Sequence, residues 1–453
     1  MHKKWLMCKL DEICDIFTGN SINEKEKIEK YTDISDGYNY IGTKDIGFDQ
    51  CIDYENGIKI PTNDLKFKIA PKGSVLLCIE GGSAGRKIGL TDQDVCFGNK
   101  LCAFVSKIDN KYIFYFLQTS DFRNIFSYNK NGLIGGVSVN KLKNIEIPLP
   151  PLAEQGRIVA KIEELFAGID AGVENLKSVK NQIALYRQSV LKSAFDGTLT
   201  AKWREQKHFI KHYIAMDKTP FEIPHEWEWF KLSQLGNIGR GKSKHRPRND
   251  KKLFGGKYPF IQTGEIKACK RYLKDYTETY SDFGLAQSKL WSENTLCITI
   301  AANIAETAIL KIKACFPDSV VGFIKNDLIS KIEYIEYYIR LIRENLDKAA
   351  PATAQKNINL QTLNEILVPV PTLAEQERIV AEIESRFERA DALETAVDRA
   401  LNDAEKLKQA VLKKAFSGEL VPQNPDDEPA SVLLDRIRAE RAAEQRAKKG
   451  KRK

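Results

Sequence analysis

Apolar residues recur every three or four positions from Ile158 to Val190. Ile158, Ile162, Leu165, Ile169, Val173, Leu176, Val179, Ile183, Tyr186 and Val190 form a heptad-like seam more than four heptads long. Pro148, Pro150 and Pro151 bar a helix upstream, and Gly197 is placed as its C′ residue. A second stretch opens on Thr372-Leu-Ala-Glu375, which has the spacing of a capping box, and Gly418 closes it as Gly197 closes the first. Each stretch predicts a helix of about 40 residues, roughly 60 Å at 1.5 Å per residue. A stripe that long is buried only against another long helix, so the pattern predicts an antiparallel pair relating two halves of the chain by a pseudo-twofold axis. Gly168 and Gly172 each cost about 1 kcal/mol inside a helix. Two readings account for them: close helix–helix approach on one face, or simple tolerance.

The two stretches are copies of one plan. PLPPLAEQGRIVAKIE (148–163) returns 221 residues later as PVPTLAEQERIVAEIE (369–384), with 12 of 16 positions identical. At the same offset VLKSAFDGTL (190–199) returns as VLKKAFSGEL (411–420). The parts that precede the helices are mixed. YNYIGTKDI (38–46), SVLLCIE (74–80) and LCAFVS (101–106) read as strands. Fainter echoes continue the repeat: Tyr40–Thr43 with Phe260–Thr263, Tyr112–Tyr115 with Tyr334–Tyr337 at a helix start, and Lys9-Leu10 and Gly19 with Lys231-Leu232 and Gly241. The fold class expected is α+β: two globular mixed α/β domains and two long helices packed as an antiparallel coiled coil. The boundaries are 1–147, 148–204, 205–368 and 369–422. After them 423–453 holds the turn QNPDDEP, a short helix over 431–446 and a basic tail.

Composition fits a soluble globular protein with room for about three domains. No apolar run approaches the length of a membrane span, and charges stand in MHKKWLMCKLDEICD where a signal peptide needs its apolar core. Nine scattered cysteines without a CxxC suggest reduced core thiols and a cytoplasmic location. The net charge of +9 is unevenly placed: 20 Lys+Arg face 19 Asp+Glu over 1–150, whereas 27 face 19 over 200–370. That excess suits a polyanion.

Catalytic motifs are sparse. There is no GxxxxGK[ST] loop and no Asn/Asp-Pro-Pro-aromatic motif. His208 and His212, four apart, lack a third metal ligand nearby, and Asp250 with Glu265-x-Lys267 is only a loose match to a nuclease triad. Groups suited to DNA are plentiful. GRGKSKHRPRNDKK (239–252) packs Arg240, Lys242, Ser243, Lys244, Arg246 and Arg248 into one loop able to bind phosphates, and Arg can grip a guanine edge. EGGSAGRKI (80–88) is read as the corresponding loop of the first domain, with Ser83, Arg86 and Lys87. Ser138 and Asn140, and Thr353, Gln355, Lys356 and Asn357, lie just upstream of the long helices and suit base edges. Asn20, Ser21, Asn23, Thr43, Lys44, Thr263 and Asn303 complete the candidate DNA contacts. The bland readings are solvated loops, hairpin turns and local caps.

The order globular domain, P-x-P-x-x-x-E-Q, long helix, F-x-G-x-L, then all of it again, resembles the specificity subunits of type I restriction–modification systems. Pro148, Pro150, Glu154, Gln155, Phe195, Gly197 and Leu199 carry the pattern, as do Pro369, Pro371, Glu375, Gln376, Phe416, Gly418 and Leu420. The resemblance implies a non-catalytic subunit that binds double-stranded DNA, each globular domain reading one half of a bipartite asymmetric target. It implies that the helices set the gap between half-sites and dock two methyltransferase subunits, through which restriction (translocase and nuclease) subunits join. Glu154, Gln155, Arg157, Phe195, Glu375, Gln376, Arg378 and Phe416 would then face partners. No cofactor or metal is expected in this chain; S-adenosylmethionine belongs to the methyltransferase, and ATP and Mg to the restriction subunit. The competing classes are a self-contained methyltransferase or nuclease with doubled readers, and a structural coiled-coil tether.

Overall fold

Alternation along two strands decides the core of the first copy. In Leu101–Ser106, Cys102 and Phe104 point to one face while Leu101 and Ala103 point to the other. In the neighbouring strand Val75–Cys78, Val75 and Leu77 join the first face and Leu76 and Cys78 the second. Both faces are apolar, so both must be covered. Helices Asn110–Phe116 and Ser120–Asn129 cover one; a second sheet covers the other. The computed structural model describes residues 5–32, 34–130, 135–207, 219–301, 304–349 and 358–450. It divides into two compact units, one of 1–176 with 399–453 and one of 177–398.

In the first unit the main sheet runs Cys14–Thr18, Leu101–Ser106, Val75–Cys78, Ile88–Leu90, antiparallel throughout. The second sheet, of four short strands, includes a parallel pair that sets Tyr40 against Cys96. A separate two-stranded ladder joins Leu6–Lys9 to Glu146–Leu149, so the strand ending in the P-x-P sequence closes the domain against its first strand. All three strands read from sequence are present, as Tyr38–Ile41, Val75–Cys78 and Leu101–Ser106.

The second unit repeats the plan. Glu228–Lys231 pairs with Leu367–Val370, and Lys231 occupies the ladder position of Lys9. Leu296–Thr299 and Val320–Lys325 again divide their side chains between two cores, Leu296, Ile298, Val321 and Phe323 facing one, Cys297 and Val320 the other. A lone parallel bridge between Phe260 and Cys315 stands where Tyr40 and Cys96 pair in the first copy. A single helix, Ile332–Ala349, replaces the two shorter ones.

The long helices are Leu152–Phe195 and Leu373–Ser417. Within the second unit Lys180 bonds Asp398 at 2.7 Å and Arg187 bonds Asp391 at 2.5 Å and Glu394 at 2.8 Å. Residue numbers rise on one helix as they fall on the other, so the segments pair antiparallel. Within the first unit Lys408 bonds Asp170 at 2.5 Å, the same bridge as Arg187 to Asp391 displaced by the repeat. Gly197 and Gly418 take φ of +81° and +80°, as residues ending the helices should.

Two expectations about the helices need correction, and the open choice at Gly168 and Gly172 falls to simple tolerance. Tyr186 is not in the seam: it is exposed, and the neighbouring Arg187 turns inward to its two carboxylates. Gly168 and Gly172 do not mark close approach, since a Cβ on either would meet no atom within 4 Å. The capping box is half formed. Thr372 Oγ1 accepts the Glu375 N–H at 3.4 Å, but the Glu375 side chain turns inward instead of reaching back.

The C-terminal helix is longer than expected, Ala430–Gly450, and is built into the first unit. Ala430, Leu433, Leu434 and Ile437 enter the core that also holds Leu10 and Ile13. Arg438 pairs with Glu12 at 2.6 Å, and Arg441 with Asp15 at 2.9 Å. The tail after Gly450 lies outside the described residues. All nine cysteines are free thiols, seven of them buried. Burial pushes the Cys8, Cys96 and Cys102 thiols up to about 12. Among the described residues no helix is long and apolar enough to cross a membrane.

Candidate nucleic-acid interface

The residues most alike in the two copies form internal latches. Gln155 Nε2 donates to the Pro150 carbonyl at 2.9 Å, and its Oε1 accepts the Asp109 N–H at 3.3 Å. Gln376 does the same with Pro371 (3.0 Å) and the Ser330 N–H (2.8 Å), and adds the Leu328 carbonyl at 2.9 Å. Tyr112 donates to the Pro148 carbonyl at 2.8 Å, and Tyr334 to Pro369 at 2.7 Å. Each latch ties the P-x-P strand, the helix start and the first helix of the reader's cover into one corner. These carbonyls thus find side-chain donors.

Glu375 sits at the centre of the second corner, 1% exposed. It accepts from Thr200 Oγ1 at 2.7 Å, Trp227 Nε1 at 3.0 Å and Arg204 Nε at 3.2 Å. Arg204 also lies over the Trp227 ring, 5.5 Å from its centroid. Glu154, Gln155, Phe195, Glu375 and Gln376 are all at most 1% exposed and so do not face a partner; Gln155, Glu375 and Gln376 bond across the corners, and Phe195 packs on Tyr334 and Tyr338. Phe416 packs on Tyr112 and Phe116. Arg157 is held by Asp427, its Nη2 at 2.5 Å, and Arg378 lies along its own helix against Glu382. The corners leave one apolar side chain exposed at the same position in each copy: Leu152 and Leu373 are 46% and 48% exposed.

In the second unit the basic loop leaves an edge strand at Gly241, where a Cβ would strike the Phe316 carbonyl at 2.3 Å. The first-copy position is Gly19, closed in the same way by the Phe97 carbonyl. The counterpart of 239–252 is therefore the segment after Gly19, which forms the charge-mixed helix Glu24–Tyr31. Residues 80–88 instead turn the hairpin between Val75–Cys78 and Ile88–Leu90, and match the hairpin after Leu296–Thr299. The sequence assignment of 80–88 is corrected on this point.

The loop forms one wall of a groove of about 680 Å³. Ser243, Arg248, Asn249 and Lys251 line that wall, and Phe254, Phe260 and Tyr280 are among its aromatic lining. Gln262, Thr263 and Glu278 also line the groove. Phe260 and Tyr280 stack at 4.1 Å with 15° between the rings. Three candidates, Ser243 and Arg248 from the loop and Thr263 from a separate segment, thus meet here. Arg240 donates to the Asp318 carbonyl at 2.9 Å, and Arg248 Nη2 contacts both Asp318 carboxylate oxygens at 3.0 Å. Arg246 folds back on the Ser243 and His245 carbonyls. Lys242 and Lys244 are exposed. Asp250 accepts from the Lys252 N–H and pairs with His245 at 2.8 Å, and these contacts hold its carboxyl below the usual range. Glu265 accepts from Gln262 and Thr277, so both acids of the loose nuclease pattern have local structural partners.

The first unit gathers Thr43, Arg86 and Lys87 around Phe48, which is 63% exposed. Arg86 and Lys87 each lie 5.3 Å from its ring centroid, and Lys87 Nζ donates to the Thr43 carbonyl at 2.9 Å. Lys44 is exposed beside them. Ser138 begins the helix Val139–Lys143, and Val137 N–H donates to Ile79 at the foot of the hairpin that carries Ser83. Asn140 borders a second groove of about 670 Å³ with Asn129 and Lys141. Asn20 is engaged internally, with Lys66 and Lys68, and Asn23 caps a helix through Glu26. Ser21 is exposed. Asn303, Thr353, Gln355, Lys356, Asn357, His208 and His212 lie outside the described residues. Sequence reading missed Gln262, Glu278 and Phe48; only an exposed aromatic in the turn Gly47-Phe48-Asp49 hinted at one of them. Among the described residues no cluster of three His, Cys, Asp or Glu side chains could hold a metal.

Comparison with known proteins agrees with this division. The type I restriction modification DNA specificity domain matches twice, at residues 2–181 and 224–402. The type I restriction enzyme EcoBI specificity subunit of Escherichia coli is 26% identical over 98% of this chain and 94% of its own. The EcoKI specificity subunit of Escherichia coli strain K12 is 26% identical over 97% and 96%. A chain solved in work on complex assembly and conformational transition of the type I R-M system superposes with TM-score 0.67 at 19% identity, over 92% of this chain and 98% of that one. The HsdS subunit from Thermoanaerobacter tengcongensis gives TM-score 0.52 at 20% identity over the same shares. With both copies of the repeat matched by the domain model, this chain belongs to the type I restriction–modification DNA specificity family.

Proposed function

We propose that this specificity subunit reads a bipartite, asymmetric DNA target, one half-site per globular domain, for a complex in which other chains do the chemistry. The observation that carries the reading is the contrast between corner and surface. The Gln–Pro and Tyr–Pro latches recur in both copies at nearly the same distances. The reading surfaces do not recur: one gathers Arg86 and Lys87 around Phe48, the other is a groove with aromatic and polar lining beside a loop rich in Arg and Lys. A constant frame with unlike surfaces suits two different half-sites on one scaffold.

In this reading the long helices set the unread gap, and two methyltransferase subunits dock at equivalent places. Leu152 and Leu373 are the apolar anchors, since about half of each is left exposed. S-adenosylmethionine acts in those partners, ATP and Mg in restriction subunits that join through them, and the complex works in the cytoplasm.

The test is to express the chain with its cognate methyltransferase and map modified adenines across a genome. Two short half-sites at one fixed separation are the expected result. Methylation by the chain alone, or modification without a bipartite motif, would overturn the proposal. Leu152→Glu with Leu373→Glu should abolish recovery of the methyltransferase with this chain while leaving its melting temperature unchanged.

A further inference from the structure

We propose that the second domain selects a C·G base pair through Gln262, Glu278 and Arg248. This inference rests on the DNA-reading role proposed above and specifies its chemistry in one groove. Gln262 Nε2 donates to Glu278 Oε2 at 2.7 Å, and the Gln262 backbone N–H donates to Glu265 at 2.7 Å. The Gln262 amide is therefore oriented, with one of its two Nε2–H groups fixing the Glu278 carboxylate beside it. Glu278 lies opposite Phe260 in the strand pair, whose ring stacks on Tyr280, so the carboxylate is carried on a braced segment. Its Oε1 has no hydrogen-bond partner among the described residues, and Glu278 is only partly buried.

The acceptor that this part of the lining presents is thus the Glu278 carboxylate, held in place by Gln262. Of the four bases, only cytosine shows the major groove a donor, N4–H₂, with no acceptor; adenine adds N7, guanine shows N7 and O6, and thymine shows O4. A carboxylate repels those acceptors. The basic loop, which lines the same groove, supplies the complement. Arg248 bonds Asp318 through Nη2 alone, so its remaining N–H groups can reach the O6 and N7 of the paired guanine. Lys251 and Asn249 on the same wall suit the flanking phosphates.

The experiment uses the full chain with its methyltransferase and the same modified-adenine mapping. The wild-type motif should hold a fixed C·G pair in one half-site. Glu278→Gln replaces an acceptor by a group that also donates, matching adenine N6 and N7, so that one position should relax to accept A·T. Discrimination there should fall roughly ten- to hundredfold, the range of one good side-chain–base pair. The other half-site and the separation should stay as they are. Gln262→Ala should relax the same position. If either variant fails to assemble with the methyltransferase, the other carries the test, and direct binding of oligonucleotides varied at that position reads out both. A wild-type motif that neither variant alters, or changes spread over both half-sites, overturns this inference alone. A wild-type complex without any bipartite motif overturns the DNA-reading role and the inference with it.

Discussion

The indole N–H of Trp227 donates to the carboxylate of Glu375, 148 residues later, at 3.0 Å. The same carboxylate holds Thr200 and Arg204, so one buried charge joins the end of the first long helix, the entry to the second domain and the start of the second long helix. Removing one partner of a buried pair leaves the other charge unmet, which costs about 3–5 kcal/mol. Glu375→Ala should therefore lower the urea midpoint of the second unit sharply. Glu375→Gln keeps the shape and some of the bonds and should cost about 1–2 kcal/mol. Equal midpoints for Glu375→Ala and wild type would contradict the assignment.

Gly168 and Gly172 offer a test of the opposite sign. A Cβ at either enters open space, so alanine adds helix propensity without a clash. Each Gly→Ala change should stabilise by up to about 1 kcal/mol, seen as a raised melting temperature. Destabilisation would mean that the helices approach there after all.

Acid should loosen the C-terminal helix. The hydrogen bond from Arg438, with the Lys9 N–H behind it, holds the Glu12 carboxyl below its ordinary range. A depressed folded value means that the pair stabilises the fold at neutral pH and loses that contribution as pH falls through the folded value. The pair is partly exposed and screened by solvent, so the effect is small. Proteolysis of the segment 430–450 should quicken below that pH in the wild type. Arg438→Ala should already be faster at pH 7 and show a flatter pH profile.

The basic loop should be read through salt. Lys242 and Lys244 have exposed side chains, whereas Arg248 is already paired with Asp318. Lys242→Ala with Lys244→Ala should weaken DNA binding and flatten the log–log salt slope by about one unit for each phosphate that is no longer neutralised. Arg248→Ala should change sequence preference more than slope. An unchanged slope in the double variant would mean that the loop does not touch the backbone of the duplex.

The sequence determined whatever depends on spacing along the chain. The seam from Ile158 to Val190 and the closing glycines gave both long helices, because helical periodicity and a left-handed terminal residue are local facts. The repeat gave the doubled ladder and the doubled corner, because two copies of one strand and one helix start fold alike. Tertiary structure decided the rest. Glu375 has the spacing of a capping box, but a buried Arg204 and Trp227 offer it stronger, charge-assisted bonds than an exposed N-cap does. Tyr186 fits the heptad, yet Arg187 takes the inward place because two carboxylates of the facing helix meet it there. The groove needed Arg248, Gln262 and Glu278 brought together from separate segments. No local pattern marks such residues, since their proximity comes from sheet pairing and the burial of two apolar faces.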